Sequence, residues 1–339
     1  MGPYPRDLPA AAEIGLTAAP CEPTCVAENL LLPKRLARAM PWLGACAQGL
    51  EAGVLRALVG LLRRLPLFWS FALARALMRL LGPLTPMWEK VARNHAIAFP
   101  EMDAASRKTL RRQTFRHLGE AIAELVLAPR IHAEAQRIEW QVAPALEEAL
   151  AAGRPLVMVT GHVGAWQLTN LVSLHCKMPL ACLYAEESNP RMAALMLELR
   201  NGLGCRWLPS AGGIRTLLEE LRAGHSVGLA CDTRMDQGEA VPFFGHRVMS
   251  NTVPARLALR VGVPLVPVLA ERLPGGRYRI TLEAPVQAAT DETSQAEQAV
   301  AMTAALMARF ETWVRDMPAQ WMCLARRFPK ELDKAARYQ

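Results

Sequence analysis

The sequence has no C-x-x-C pair and no histidines at zinc-finger spacing, so a structural zinc does not account for its eight cysteines. Cys21, Cys25, Cys46, Cys176, Cys182, Cys205, Cys231 and Cys323 stand singly, mostly among apolar neighbours. They read as small buried hydrophobes in a reducing compartment rather than as disulfide partners. No ligand cluster implies a metal. The absence of a G-x-S-x-G elbow, and of a cysteine at an obvious strand-to-helix turn, argues against a serine or cysteine hydrolase. The chain does not open with the basic segment and apolar run of a signal peptide. In the N-terminal region the longest uncharged runs, about Ala39–Leu50 and Leu65–Ala74, fall short of the ~20 residues that cross a bilayer, so no spanning helix is expected.

What is present is apolar and basic. About half of the 339 residues are hydrophobic, enough for a sizeable core and too many for global disorder. The formal charge of +8 calls for an anionic partner: nucleic acid, an acidic carrier protein or an anionic membrane surface. Residues 33–140 hold 17 basic and 8 acidic side chains, which leaves the rest of the chain close to neutral. These basic residues are spread through Leu/Ala/Trp-rich sequence without a nucleic-acid-binding motif. That pattern fits a membrane surface, and no nucleic-acid partner is expected.

The organisation read from pattern is a loose leader over 1–32, a basic amphipathic helical membrane-associating region over 33–140, an α/β domain over 141–330 and a tail over 331–339. Pro66 divides the stretch from Lys34 to Leu84 into two helices. Trp42, Phe68, Trp69 and Phe71 supply apolar bulk there, and Arg56, Arg63, Arg64, Arg75 and Arg79 can reach lipid phosphates. Two readings stay open: an in-plane anchor, or ordinary helices packed on the body. Residues 103–128 form an amphipathic helix capped by Asp103 or Ser106. From Arg154 the period changes. Short apolar runs at 154–160, 180–184, 226–231 and 264–269 alternate with helices at 166–177, 190–203, 211–223 and 253–261. This predicts a mostly parallel sheet flanked by helices, with Tyr278–Leu282 added as a hairpin strand and a long helix over 291–317.

Gly161-His162-Val-Gly164-Ala-Trp166-Gln167 directly follows the first buried run. In α/β sheets ligands sit beyond the carboxyl ends of strands, which places His162 at the mouth of the sheet. The two glycines suit a tight turn and close approach of a substrate, and backbone N–H groups at the start of the next helix are candidate anion or oxyanion donors. An imidazole here suits proton removal from an acceptor hydroxyl. A histidine that merely caps the turn is the competing reading.

The block resembles the signature of the lysophospholipid acyltransferase superfamily, in particular the late acyltransferases of lipid A biosynthesis, where a His is followed five residues on by Glu or Asp. Further matches keep the family's order: Arg93-Asn94 with Phe99-Pro100, Phe115-Arg-His-Leu-Gly119, Asn189-Pro190, Ala211-Gly-Gly-Ile-Arg215, Pro242-Phe243-Phe244-Gly245, Pro264–Pro267, Gln320-Trp321 and Arg326-Arg327-Phe328. The resemblance covers residues ~37–330. It implies an O-acyltransferase without metal or cofactor, in which an acyl thioester on acyl carrier protein or coenzyme A is co-substrate. His162 would act as general base on a lipid or glycolipid hydroxyl, at the cytoplasmic face of the bacterial inner membrane, as a peripheral or monotopic protein.

One position departs from the family. Gln167 stands where the acid belongs, and losing the carboxylate of a His–acid pair costs orders of magnitude in rate. Either another carboxylate replaces it, or the enzyme is slow, or the protein is a decayed lipid binder. Asp232 ends the strand 226–231 on the same rim and is the replacement, unless it is only a loop carboxylate paired with Arg234. Asp236 and Glu239 stand behind it. Arg191, Arg215 and Arg234 are candidates for acceptor or carrier phosphates, against a solvated-surface reading for each. Gly164, Trp166, Phe243 and Phe244 are candidates for the substrate site, the aromatics as an acyl groove or as plain core.

Overall fold

The structure is a computed structural model that describes residues 40–185, 187, 189–210, 213–287 and 294–336. The expected leader, Ala211 and Gly212 of one motif, residues 291–293 of the long helix and the last three residues of the tail lie outside them.

Two helices open the described chain, α1 (Pro41–Arg64) and α2 (Leu67–Leu81). Pro66 breaks them apart as expected. The Ser70 hydroxyl donates to the Leu62 carbonyl (2.8 Å) and the Arg130 guanidinium donates to that of Leu65 (2.8 Å), so the corner's carbonyls are satisfied. Next come α3 (Met87–Ala98) and α4 (Ala104–Ala133). Asp103 caps α4 by accepting from the N–H groups of Ala105 and Ser106, which settles the choice of cap. Helix α4 runs past the expected end at 128, straight through Pro129. Burial of Leu125, Leu127, Ala128 and Ile131 outweighs the lost backbone bond. Gly119 lets α2 approach α4, since a Cβ there would overlap the Ala74 carbonyl.

The remaining elements are β1 (Ile138–Val142), α5 (Pro144–Ala151), β2 (Val157–Thr160), α6 (Val172–His175), β3 (Leu180–Tyr184), α7 (Pro190–Asn201), β4 (Arg206–Pro209), α8 (Gly213–Arg222) and β5 (Ser226–Ala230); β2, β3 and β5 fall on the expected apolar runs, and β1 and β4 add to them. The hairpin β6 (Glu239–Phe243) and β7 (His246–Ser250) follows, then α9 (Val253–Val261), β8 (Leu265–Leu273), β9 (Arg277–Leu282), α10 (Gln295–Asp316) and α11 (Lys330–Ala335). The seven-stranded sheet has the order β1-β9-β8-β2-β5-β3-β4. Strands β8, β2, β5, β3 and β4 are mutually parallel, and β9 returns antiparallel to β8 as the expected hairpin. The expected helix over 166–177 is instead a 3₁₀ stretch, Trp166–Leu171, followed by the short α6.

Helices cover both faces. Val157 and Val159 of β2 enter one core with Leu217, Leu257 and Phe310. Met158 enters the other with Leu125, Leu168 and Leu180. All four residues of β2 are buried, the reason its sequence reads as a continuous apolar run. Of the described cysteines, Cys182, Cys205, Cys231 and Cys323 are buried, Cys176 is half-buried and Cys46 is exposed; none is disulfide-bonded.

The expectation on helix length is corrected. Trp42–Arg64 and Leu67–Leu84 are each long and apolar enough to cross a membrane. Single charges such as Glu51, Arg56 and Arg75 interrupt the uncharged runs without lowering the mean hydropathy of the whole helix. Trp42, Val54, Phe68, Trp69, Leu80 and Leu84 on these segments are each more than half exposed.

Candidate active site

Strands β2 and β5 are parallel neighbours, with Thr160 opposite Ala230 and the Cys231 N–H on the Thr160 carbonyl (2.9 Å). Two residues beyond each strand end come His162 and Asp232, so the register alone brings them side by side. Nδ1 of His162 lies 2.6 Å from Oδ1 of Asp232. A carboxylate only accepts, so the proton sits on Nδ1 and Nε2 carries the lone pair. The other carboxylate oxygen accepts from Nε1 of Trp321 (3.3 Å). Asp232 is buried, while 26 % of the His162 side chain stays open to solvent.

Burial disfavours the imidazolium, but the charge and hydrogen bond of Asp232 outweigh it and hold His162 above the ordinary histidine range. Burial likewise opposes the Asp232 carboxylate. The charge and hydrogen bond of His162, with Arg327 further off, overcome that and hold it below its usual value. Arg327 is itself buried, anchored on the Met249 carbonyl and the Ser250 hydroxyl, and burial lowers it to about 10.

The turn that carries His162 is braced on two sides. The Met322 N–H donates to the His162 carbonyl (2.8 Å), the Gly164 N–H to Gln320 (3.3 Å) and the Ala165 N–H to Ala270 (2.8 Å). Val163 and Trp321 form an isolated antiparallel bridge. Gly164 has φ 65°, and a Cβ there would overlap the Ala270 carbonyl. Glycine is therefore required by the approach of β8. The N–H groups of Gly164 and Ala165 are thus consumed within the fold.

The other expected residues divide. Trp166 packs edge-on against His162 (4.6 Å between ring centroids), and its buried Nε1 has no hydrogen-bond partner among the described residues. It lines an apolar crevice with Met158, Cys182, Trp207 and Leu229 at the ends of β2, β3 and β5. A second crevice runs along His162 and Asp232, walled by Thr233, Met322, Arg326 and Arg327. Gln167 gives only its carbonyl, to Asn170 (3.0 Å); among the described residues no hydrogen bond joins it to His162. Asp236 pairs with Arg234 and Glu239 with Arg256, so neither reaches the histidine.

Arg234, two residues past Asp232, has a buried Nη1 without a partner among the described residues. Arg215 is exposed and pairs with Glu219 on its own helix, and Arg191 packs on Gly49 of α1. Neither lines the two crevices beside His162. Phe243 and Phe244 also lie outside both crevices. They are core, because the β6–β7 turn folds Phe244 flat against Trp321 (6.0 Å) with Phe243 edge-on to it (4.9 Å).

Sequence reasoning gave Trp321 and Arg327 no role, although both sit in quoted motifs. Asn94 was likewise quoted and left without one. Its side chain donates to the carbonyls of Cys323 (2.9 Å) and Ala325 (2.7 Å) and accepts from the Arg327 N–H (3.2 Å), which fixes the wall of the second crevice. Among the described residues no three His, Cys, Asp or Glu side chains converge on a metal-binding arrangement.

The phosphatidylinositol mannoside acyltransferases of two Mycobacterium tuberculosis strains, CDC 1551 / Oshkosh and ATCC 25618 / H37Rv, are 30% identical to this chain over 202 residues, 57% of it and 61% of them. That of Mycolicibacterium smegmatis is 28% identical over 185 residues, 53% of this chain and 58% of its own. The chain thus spans about three-fifths of the length of these relatives. Over residues 51–330 it matches the profile of the bacterial lipid A biosynthesis acyltransferases, and it belongs to that family.

Proposed function

We propose that the protein transfers a fatty-acyl group from a thioester, on acyl carrier protein or coenzyme A, to a hydroxyl of a membrane glycolipid. The observation that carries this reading is the His162–Asp232 pair, 2.6 Å apart at the carboxyl end of the sheet with Nε2 left as the base. Nε2 takes the proton of the acceptor hydroxyl. The oxygen attacks the thioester carbonyl, a C–O bond forms and the C–S bond breaks. The imidazolium then returns the proton to the departing thiolate. Asp232 holds the ring in the required tautomer and stabilises its charged form. The crevice beside Trp166 offers an apolar wall to the acyl chain, and Arg234 is the phosphate-binding candidate nearest the dyad.

A glycolipid acceptor is favoured because the relatives named above are phosphatidylinositol mannoside acyltransferases. The exposed apolar residues of α1 and α2, with arginines between them, suit monotopic attachment to the anionic cytoplasmic face of the inner membrane. Both helices lie along the protein body, which favours attachment in the membrane plane over spanning. The reading as a decayed lipid binder rests on Gln167, and Asp232 supplies the carboxylate whose loss there motivates it.

The test is lipid mass spectrometry on cells that lack the native gene and express either wild type or His162→Ala. A lipid that gains one acyl chain only with wild type supports the reading and names acceptor and chain. Identical profiles, with both proteins folded and membrane-bound, would overturn it in favour of a lipid-binding protein.

A further inference from the structure

A second cluster of buried ionisable groups sits between α4, β8 and the turn at 318–320. Glu124, fully enclosed, accepts both prongs of the Arg272 guanidinium, from Nε at 2.7 Å and Nη2 at 2.8 Å. The remaining prong, Nη1, donates to the side-chain carbonyl of Gln320 at 2.9 Å. Glu120, one turn earlier on α4, lies 3.4 Å from Arg272 and is also bound by His117 and by Arg75 of α2. An ion pair this deep gains little stability over an apolar replacement of the same volume, because both charges give up their hydration. What it offers is direction. A two-pronged guanidinium contact fixes the third prong in space.

That third prong holds Gln320, which opens the 320–322 segment that runs beside the dyad. Its carbonyl accepts from Gly164, the next residue bridges Val163 and donates to Asp232, and the one after donates to the His162 carbonyl. We propose that Arg272, held by Glu124, is a positioning residue: by fixing Gln320 it fixes the 320–322 segment against the His162 turn and keeps His162, Asp232 and Trp321 in line. The assignment rests on His162 being the catalytic base.

Gln320→Ala removes the link while leaving the Glu124–Arg272 pair intact, Gln320→Glu restores an acceptor for Nη1, and Arg272→Lys keeps the charge but loses the fork. Two readouts are taken on the full chain: the titration of the His162 imidazole by NMR, and kcat and KM for an acyl thioester. Asp232 acts on that imidazole and Arg327 acts on Asp232; neither is altered. The expected result for Gln320→Ala and Arg272→Lys is a His162 titration moved down towards the ordinary histidine range. With it come a kcat lower by about tenfold, a KM within about twofold and recovery in Gln320→Glu.

An unmoved titration in a folded Gln320→Ala protein overturns the proposal, and so does a loss of kcat that Gln320→Glu does not recover. Should Gln320→Ala fail to fold, Arg272→Lys gives the same reading. Wild type without thioester turnover, but with a titration that moves in the variant, rejects the assigned reaction and leaves the positioning role standing. Turnover with an unmoved titration does the reverse.

Discussion

Helices α1 and α2 and the carboxyl end of the sheet handle polarity in opposite senses. On the helices, Trp42, Phe68, Trp69 and Leu80 face outward, where water penalises them. At the sheet end, Asp232, Arg327 and the Nδ1 side of His162 are drawn inward, where a lone charge is costly. Each arrangement makes sense only with a counterpart: an apolar phase for the helices, an opposite charge for the carboxylate. The pairing of Asp232 with His162 at the sheet end is internal. That of the helices is left open, in keeping with the attachment surface and the chemistry proposed above.

Predictions follow that split, the largest first. His162→Ala should lower acyl transfer by roughly 10²- to 10⁴-fold without moving the protein off membranes, as measured by thioester turnover and vesicle flotation. Asp232→Asn should come within about tenfold of that loss; near-normal turnover would detach Asp232 from the mechanism. Replacing Phe68, Trp69 and Leu80 together with serine should do the opposite. Vesicle binding should weaken by at least about a hundredfold, because each fully inserted side chain withdraws about 1.5–3 kcal/mol of apolar transfer energy and even partial insertion of the three together exceeds the roughly 2.7 kcal/mol that this requires. Turnover of a detergent-dispersed acceptor should stay within a few-fold.

The pH profile is a finer test. The base must be neutral, and Asp232 holds His162 above the usual 6.5 or so. The rate should therefore fall as pH drops through a value above 6.5, and in Asp232→Asn that limb should move to lower pH. The smallest effect belongs to Gln167→Ala, where turnover should change by less than about threefold, since its side chain does not bond to His162. A large loss there would reinstate the amide as the ring's partner.

Much of this was legible in the sequence, for identifiable reasons. Strands buried on both faces must be apolar throughout, so β2, β3, β5 and β8 stood out, and with them the strand-end positions of His162 and Asp232. Strands β1 and β4 lie at the sheet's edges and carry no continuous apolar run: β1 alternates polar with apolar residues, and β4 is only the four residues Arg206–Pro209. The β6–β7 hairpin was hidden because its turn is Phe244-Gly245, and Phe244 adopts φ 49°, which a bulky residue rarely does. Glu311, accepting from the Phe244 N–H, helps hold that geometry. Trp321 remained without a role because its partner is 89 residues away. No local period carries such a contact. Scattered charges keep the uncharged runs of α1 and α2 short, whereas a membrane responds to the mean hydropathy of a whole helix.

The dyad's construction from separated parts has a consequence in time. Synthesis runs from the N-terminus, so α1 and α2 leave the ribosome well before the other pieces of the site. His162 comes next but has no partner until β5 has paired beside β2 and delivered Asp232. Trp321 and its bridge to Val163 arrive near the end of the described chain. On the proposed function, a nascent chain is able to settle on a membrane long before it is able to act on a thioester, and a chain cut short before residue 321 should bind vesicles but lack its completed site.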